Sequence, residues 1–332
     1  DIANWDVSAV IDMAYLFSNK QNTITLDLSG WNMSNVIDTI GMFKSCLSLT
    51  SLDLSGWDTS NVKNMKQMFQ GCTALTSLDV SNFDTSDVTN MQSMFQGCAL
   101  TSVDVSNFDT SNVESMSYMF MNANSLTTLN LNNWNTSSLQ DMLGMFTGCT
   151  NLTSVSMQQT NSDNGVWDIS NQSTLMQLFL HCENLTTISG IENWDTSGVK
   201  DMLYVFDGCK ELTTLNISNW DVGSVEDFSR MFGRCTKLSN LNLSSWSTSS
   251  EVDSIFGMFY ECEALTSLNL SGFDTSGVRR NDMAHVFNGC TSLSTVAGLS
   301  CWCVENISQD SLPMNFAANA LFANTTSNLP NW

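Results

Sequence analysis

A repeat of about 26 residues runs through nearly the whole chain and restricts its fold more than any other feature. One copy, residues 49–72, reads LTSLDLSGWDTSNVKNMKQMFQGC. Each copy carries a large aromatic residue, Trp57 in this one, and a second aromatic residue, Phe69 here, follows about twelve positions later. A fixed period in this range is typical of a solenoid, in which each unit packs only against its neighbours.

Each repeat divides into two halves with different apolar periods. Residues 49–54 end in an alternation of apolar and polar residues, which predicts a short strand. Residues 62–72 place apolar side chains three, six and seven positions after Val62, the spacing of one helix face, and therefore predict a helix. Asp58 is expected to accept hydrogen bonds at the helix start, and Gly71 suits a left-handed residue at its end. The same acidic position recurs as Asp84, Asp109, Asp168, Asp195, Asp221 and Asp274.

These halves predict an α/β solenoid of the leucine-rich-repeat kind. About eleven or twelve strand–turn–helix units would place a parallel sheet on one face and helices on the other. We expect a single elongated repeat domain over residues 1–298, with an incomplete first repeat. The pattern decays after Cys290, so residues 299–332 are predicted to form a degenerate last repeat or C-terminal cap.

The charge balance excludes some functions. The net charge is −22, from 33 acidic and 11 basic residues, and no Lys or Arg occurs between Lys66 and Lys200. Nucleic acid binding requires basic contacts to phosphate, so we expect none. No run of about 18 apolar residues exists to insert this segment into a membrane. Protein or glycan surface ligands are the expected partners, and an extracellular or cell-surface location suits an acidic, lysine-poor surface.

Nine of the eleven cysteines share one phase of the repeat. Because Ala123 fills the same position in another copy, the slot is predicted to hold a small, buried, reduced thiol. Disulfides along this ladder stay an alternative, since neighbouring Cα atoms would lie about 5 Å apart. A bridge from Cys290 to Cys301 or Cys303 is a separate hypothesis, and zinc is rejected because no CxxC pair occurs. The nine are Cys46, Cys72, Cys98, Cys149, Cys182, Cys209, Cys235, Cys262 and Cys290.

Catalytic signatures are missing from the sequence. No phosphate-binding loop, zinc-protease motif or nucleophile elbow is found, and the two histidines, His181 and His285, lie in different repeats. The chain is therefore predicted not to be an enzyme.

The outward strand positions are the predicted binding surface. Acidic residues dominate the N-terminal copies, and amides follow in the later ones. Carboxylates on neighbouring strands repel one another unless they are hydrogen-bonded, protonated or bridged by a cation. This suggests a Ca²⁺ site at Asp53, Asp79 and Asp104; a plain solvated ladder is the alternative, and no other cofactor is expected. The ladder consists of Asp27, Asp53, Asp79, Asp104, Asn130, Asn216, Asn242 and Asn269.

One longer repeat interrupts the regular spacing. The step from Phe146 to Phe179 is 33 residues, and a polar insertion accounts for the extra length. Insertions in solenoids form loops that often lie on the binding face, although a neutral loop is the alternative. The candidate contact residues in this insertion are Gln158, Asn161, Asp163 and Asn164.

The repeated WDTSxVxxMxxMFxGC motif, over roughly residues 1–298, resembles the BspA-like leucine-rich-repeat surface proteins. The resemblance is to the 26-residue variety found in mycoplasma lipoproteins and in bacterial and protist surface proteins. It implies an exported, non-enzymatic protein with a role in adhesion. The leading hypothesis is a binding or adhesion module that uses the polar, acidic strand face. The alternative is a structural subunit that assembles end to end into a filament or layer, because both termini fall within the repeat pattern.

Overall fold

The computed structural model describes residues 2–158, 167–299 and 302. The chain divides into two compact units. Unit 1 comprises the described residues up to Asn171 together with Ile188–Gly190, and unit 2 comprises Gln172–Thr187 and the described residues from Ile191 onward. Each unit is a parallel β-solenoid, in which the chain returns to the same position after each repeat and bonds to the turn before and the turn after.

The strands are short and pair in parallel. In every register that the structure defines, equivalent positions of successive repeats face each other, as Leu26 faces Leu52 and Leu215 faces Leu241. In unit 1, β1 (Thr25–Asp27) pairs with β2 (Ser51–Asp53). A second sheet has the order β3 (Thr128–Asn130), β4 (Ser154–Ser156) and β5 (Thr187–Ser189), and all of it except Thr187 belongs to unit 1. In unit 2, β6 (Thr214–Leu215) pairs with β7 (Asn240–Leu241), and β8 (Ser267–Asn269) pairs with β9 (Thr295–Ala297). The predicted parallel sheet face is confirmed.

The predicted helices are wrong. The described residues contain no α-helix, only two short 3₁₀ segments, Ile191–Asn193 and Arg280–Met283. Among the same residues, no helix is long and apolar enough to cross a membrane.

Hydrogen bonds in residues 64–72 show why no helix forms. Alternate N–H groups donate to the next turn of the solenoid: Met65 to the Asn90 carbonyl at 2.9 Å, and Phe69 to the Met94 carbonyl at 3.0 Å. The intervening N–H groups close three-residue turns, as Met68 does on Met65 at 3.2 Å. The backbone groups that a helix would bond to residues four positions away are thus bonded mainly between turns. We call this part of each repeat the turn segment.

Two left-handed residues, four positions apart, make the turn segment possible. Gln67 has φ 58° and Gly71 has φ 73°, and the same pair of left-handed positions recurs along the chain. An α-helix has φ near −63° throughout, so two such residues exclude it. Gly71 is left-handed, as the sequence predicts, but it ends no helix.

The core consists of stacked columns of equivalent side chains. Val62, Met65, Met68 and Phe69 are fully buried, so their apolar period marks the inward face of the turn segment. Phenylalanine rings stack from turn to turn with centroid separations of 5.6–6.0 Å in unit 1, from Phe17 through to Phe146. Offset stacking at this separation is favourable for aromatic pairs.

The nine ladder cysteines are buried and free, as predicted. The thiol of Cys72 donates to the Phe43 carbonyl of the preceding turn at 3.2 Å, and the thiol of Cys98 donates to the Phe69 carbonyl at 2.9 Å. Each thiol thus joins two turns without a covalent bond. The hypothetical bridge from Cys290 involves Cys301 and Cys303, which lie outside the described residues, as does almost all of the predicted cap at 299–332.

Candidate functional site

The strand-face ladder consists of outward side chains on the short strands and their equivalents. Within a strand such as Ser51–Asp53, Ser51 and Asp53 are exposed and point away from the core, while Leu52 between them is partly buried. Asp27 pairs directly with Asp53, which places these two carboxylates on adjacent strands, about 4.8 Å apart. All eight predicted ladder residues are exposed.

Local hydrogen bonds hold the ladder carboxylates. An Oδ1 atom of each one accepts the backbone N–H two residues later: Ser55 donates to Asp53 at 3.0 Å, and Ser81 donates to Asp79 at 2.9 Å. Asn242 accepts from Ser244 in the same way at 3.1 Å. This turn needs only a side-chain carbonyl or carboxylate oxygen, which explains why Asn can replace Asp in the later copies of the ladder.

These bonds also determine the charge state of the ladder. Hydrogen bonds from the Ser29 hydroxyl and N–H lower the pKa of Asp27. The equivalent bonds from Ser106 lower the pKa of Asp104, against the opposing effect of the neighbouring Asp79 charge. A carboxylate that accepts hydrogen bonds is stabilised in its ionised form. The face is therefore anionic at neutral pH.

The ladder carboxylates accept hydrogen bonds from the chain's own backbone N–H groups. Within the described part of the chain, no group of three or more His, Cys, Asp or Glu side chains is arranged to hold a metal ion. The calcium hypothesis for Asp53, Asp79 and Asp104 stays a prediction. Melting curves with Ca²⁺ and with EDTA test it, and it requires a higher melting temperature in Ca²⁺.

The acidic residues equivalent to Asp58 form a second acidic row, which the structure describes, whereas most of the insertion lies outside the described residues. Asp58 accepts the Ser60 N–H at 3.1 Å, so this row closes turns as predicted, although no helix follows it. In the insertion, Gln158 is exposed and its N–H donates to the Asn132 side chain at 2.9 Å. The other three candidates, Asn161, Asp163 and Asn164, lie outside the described residues.

A charged cluster on the turn segment of unit 2 was missed by the sequence reasoning. The Asp207 side chain is fully buried and forms an ion pair with Arg234, in which Nε donates to Oδ1 at 3.0 Å and Nη2 donates to Oδ2. This hydrogen bond raises the pKa of Arg234. The available signal was a departure from the repeat, because Gln70 and Gln96 fill the position of Asp207 in other turns.

The register-matched parallel strands and their polar outer face define a leucine-rich-repeat type of solenoid. The chain belongs to DUF285, a family of mycoplasma proteins of unknown function, whose model matches residues 1–79, 75–158, 150–268 and 241–332. This match confirms the resemblance to BspA-like repeat proteins.

Solved structures with a similar fold include several bacterial leucine-rich repeat proteins. A leucine-rich repeat protein from Bacteroides ovatus shares 18% identity over 96% of this chain and 87% of its own, with a TM-score of 0.43. A leucine-rich repeat protein from Eubacterium ventriosum shares 16% over 80% and 72%, with a TM-score of 0.38. A leucine rich cell surface protein from Faecalibacterium prausnitzii shares 15% over 92% and 87%, with a TM-score of 0.27. Comparison with curated proteins gave no match.

Proposed function

We propose that this protein is a non-catalytic, extracellular surface protein whose strand face binds protein or glycan ligands. The observation that carries the proposal is the strand face itself. Its outward positions form two parallel columns, one mainly of hydroxyl residues such as Thr25 and Ser51 and one mainly of Asp or Asn, and both columns are exposed on β1, β2, β3 and β8. The alternating inward residues hold the backbone in place, so the polar columns form a fixed surface rather than a pocket.

Three features of this surface support binding. Its carboxylates are held by turn hydrogen bonds and do not collapse onto neighbouring groups. Its repeated spacing presents the same chemical group on successive strands, which suits an extended ligand. Its charge is greatest in the N-terminal turns, where Asp27, Asp53, Asp79 and Asp104 lie, so a basic or neutral ligand surface is favoured there.

A binding array of purified extracellular proteins and glycans tests the proposal with a charge-neutral ladder variant. The triple variant Asp53→Asn, Asp79→Asn and Asp104→Asn keeps the turn acceptor, because Asn130 and Asn242 already serve at equivalent positions. A matched control removes three charges from the second acidic row, by Asp→Asn changes at Asp58, Asp84 and Asp109. Asn32 and Asn135 occupy the equivalent position in other repeats and accept the same turn hydrogen bond.

We expect the ladder variant to weaken binding of the best array ligand and the control variant to retain it. Equal binding by the wild-type protein and the ladder variant would show that the strand-face charges do not take part. Equal weakening by both variants would show a general effect of net charge.

End-to-end assembly with a second copy is the second candidate, and the first described turn favours it. Trp5 is 58% exposed and Leu16 45%, whereas the equivalent Trp31 and Met42 of the next turn are buried, which leaves an apolar surface around a hollow of about 570 Å³. No backbone N–H among the described residues donates to the carbonyls of Asp12, Ala14, Leu16 or Ser18. The equivalent carbonyls of the next turn do receive such bonds, as that of Asp38 does from the Met13 N–H at 2.9 Å.

Light scattering over a range of concentrations tests the assembly. Growth of the mass with concentration, reduced by Trp5→Ser and Leu16→Ser, is the expected result. A monodisperse monomer at the highest concentration would exclude assembly and leave the ligand-binding proposal intact.

A further inference from the structure

Arginine is confined to one part of this acidic chain. All four arginines, Arg230, Arg234, Arg279 and Arg280, lie within 51 residues of a protein with a net charge of −22. Two of them, Arg230 and Arg234, fill both left-handed positions of one turn segment, with φ of 55° and 57°.

The repeat supplies an internal comparison for these two positions. The position of Arg230 is taken by Gly41, Gln67 or Ser93 in other turns, and that of Arg234 by Gly71 or Gly97. Other turns of the chain thus adopt the same backbone conformation without arginine at either position. Bulky residues occupy the position of Arg230 in other turns as well, as Tyr118 and Tyr204 do with φ of 56° and 59°, so the left-handed conformation belongs to the repeat and only the positive charge is particular to this turn.

Arg230 is held flat against aromatic rings. Its guanidinium carbon lies 4.1 Å from the centroid of the Tyr260 ring and 6.0 Å from that of Phe256. Gly257 leaves the space for it, because a Cβ atom there would lie 3.2 Å from the Arg230 Nε. An aromatic ring that packs against the face of a guanidinium holds the group in place, and the N–H groups at the edge of the guanidinium stay available for a planar acceptor.

The two arginines differ in their charge partners. Arg234 is neutralised by the buried Asp207. Among the described residues, no carboxylate lies within ion-pair distance of Arg230. Arg230 is thus a preorganised cation whose hydrogen-bonding edge is not used by an acidic side chain of the described structure.

A hollow of about 390 Å³ lies next to Arg230 along the same turn segments. Phe256 lines it and also contacts Arg230. Three acidic residues, Asp227, Asp253 and Asp282, line the hollow together with the basic Arg279. The three carboxylates outnumber the one cation, so these surroundings repel a polyanion such as a sulfated glycan or nucleic acid more strongly than a ligand with a single carboxylate.

We propose that Arg230, with Tyr260 and Phe256, is a second interaction site that binds an acidic side chain of a protein ligand. The planar carboxylate pairs with the N–H edge of the guanidinium, which is the geometry that arginine favours. Arginine and tyrosine are also the residue types that concentrate binding energy in protein interfaces. This site lies on the turn segment and does not depend on the strand-face ladder.

Side-chain NMR of the full chain tests the site directly. With four arginines, the Nε–Hε spectrum holds four signals, which single substitutions assign. The probe is the capped tripeptide acetyl-Gly-Glu-Gly-amide, compared with its neutral counterpart acetyl-Gly-Gln-Gly-amide. We expect the Glu probe to shift the Arg230 signal in a saturable way and the Gln probe to leave it unchanged.

Matched variants make the test specific. Arg230→Gln should weaken binding of the Glu probe about tenfold or more, since it removes a charge-assisted hydrogen-bonded pair. It should fold normally, because Gln67 and Gln177 occupy the same position with φ of 58° and 60°. Lys63→Gln removes an equal charge in unit 1 and should leave binding unchanged.

The remaining outcomes refute the proposal in different ways. Equal shifts with both probes, or no shift with either, would show that Arg230 does not bind carboxylates. Tighter binding of a heparin-type oligosaccharide than of the Glu probe would assign the site to polyanions instead. The ladder variant with three Asp→Asn changes should bind the Glu probe like the wild-type protein, so failure of the strand-face proposal can be distinguished from failure of this one.

Discussion

Replacement of Arg234 by glycine is the sharpest test of how this solenoid tolerates a buried charge. Two effects oppose each other. Loss of Arg234 leaves the fully buried Asp207 without its partner, and removal of one member of a buried pair destabilises a protein by about 3–5 kcal/mol. Glycine at φ 57° also removes left-handed strain of about 1 kcal/mol.

The ion-pair effect is the larger of the two. Arg234 itself is 35% exposed, so solvent screens part of the interaction and the lower end of the range applies. We expect the free energy of unfolding at pH 7 to fall by about 2–3 kcal/mol. Denaturant titration measures the loss. The double variant Asp207→Gln, Arg234→Gly should recover most of it, because Gln70 and Gly97, which are also 27 residues apart on neighbouring turns, form this combination elsewhere in the chain.

Wild-type stability in Arg234→Gly at pH 7, or a double variant less stable than the single one, would refute this reasoning.

Three further predictions concern the stacked core. Burial raises the pKa of the Cys72 thiol to about 12, so this thiol should not react with thiol reagents at pH 8 unless the protein is unfolded. The stability that the buried thiol contributes is complete below the unfolded-state pKa of about 8.5 and is lost as the pH rises through 12. Denaturant titrations at about pH 8 and at about pH 11 check this loss. Trp57→Phe should destabilise the protein by about 1 kcal/mol, because it removes the indole N–H bond to the Leu28 carbonyl at 3.0 Å but keeps a ring that fits, as Phe83 does at the equivalent position. Trp57→Ala, which removes the ring, should destabilise it by about 3–5 kcal/mol. Equal losses for the two variants in a denaturant titration would contradict this. Far-UV circular dichroism should lack the double minimum of an α-helix, and a strong helical spectrum would contradict the turn segments.

The period and the strand register could be predicted from the sequence, because each repeat places the same residue type at the same position. Leu54, Trp57 and Phe69 recur at fixed intervals, and stacked copies bury them together. The Asp and Asn ladder was also predictable, since outward strand positions alternate with inward ones. Its turn hydrogen bonds could have been inferred from the exchange of Asp with Asn, which share an acceptor oxygen.

The turn segment could not be predicted from apolar spacing alone. Buried residues at Val62, Met65, Met68 and Phe69 match one helix face, and they equally match the inward face of a chain that bonds between turns. Gly41 and Gly144 lie in the middle of the expected helices, and glycine at such positions was the sequence signal against a helix. The Asp207–Arg234 pair is 27 residues apart, one period and one residue, and only a position-by-position comparison of the repeats reveals it.

The bonds between turns give each unit a mechanical character. Met65, Gln67, Phe69 and Gly71 all donate toward the following turn, so one row of bonds separates each pair of neighbouring coils. A pulling force applied to the chain ends would load these rows one after another rather than all at once. Each coil released would lengthen the chain by about 26 residues at 3.3–3.6 Å per residue, roughly 90 Å. A tether of this kind would yield under tension in equal steps, each absorbing work before the next coil opens.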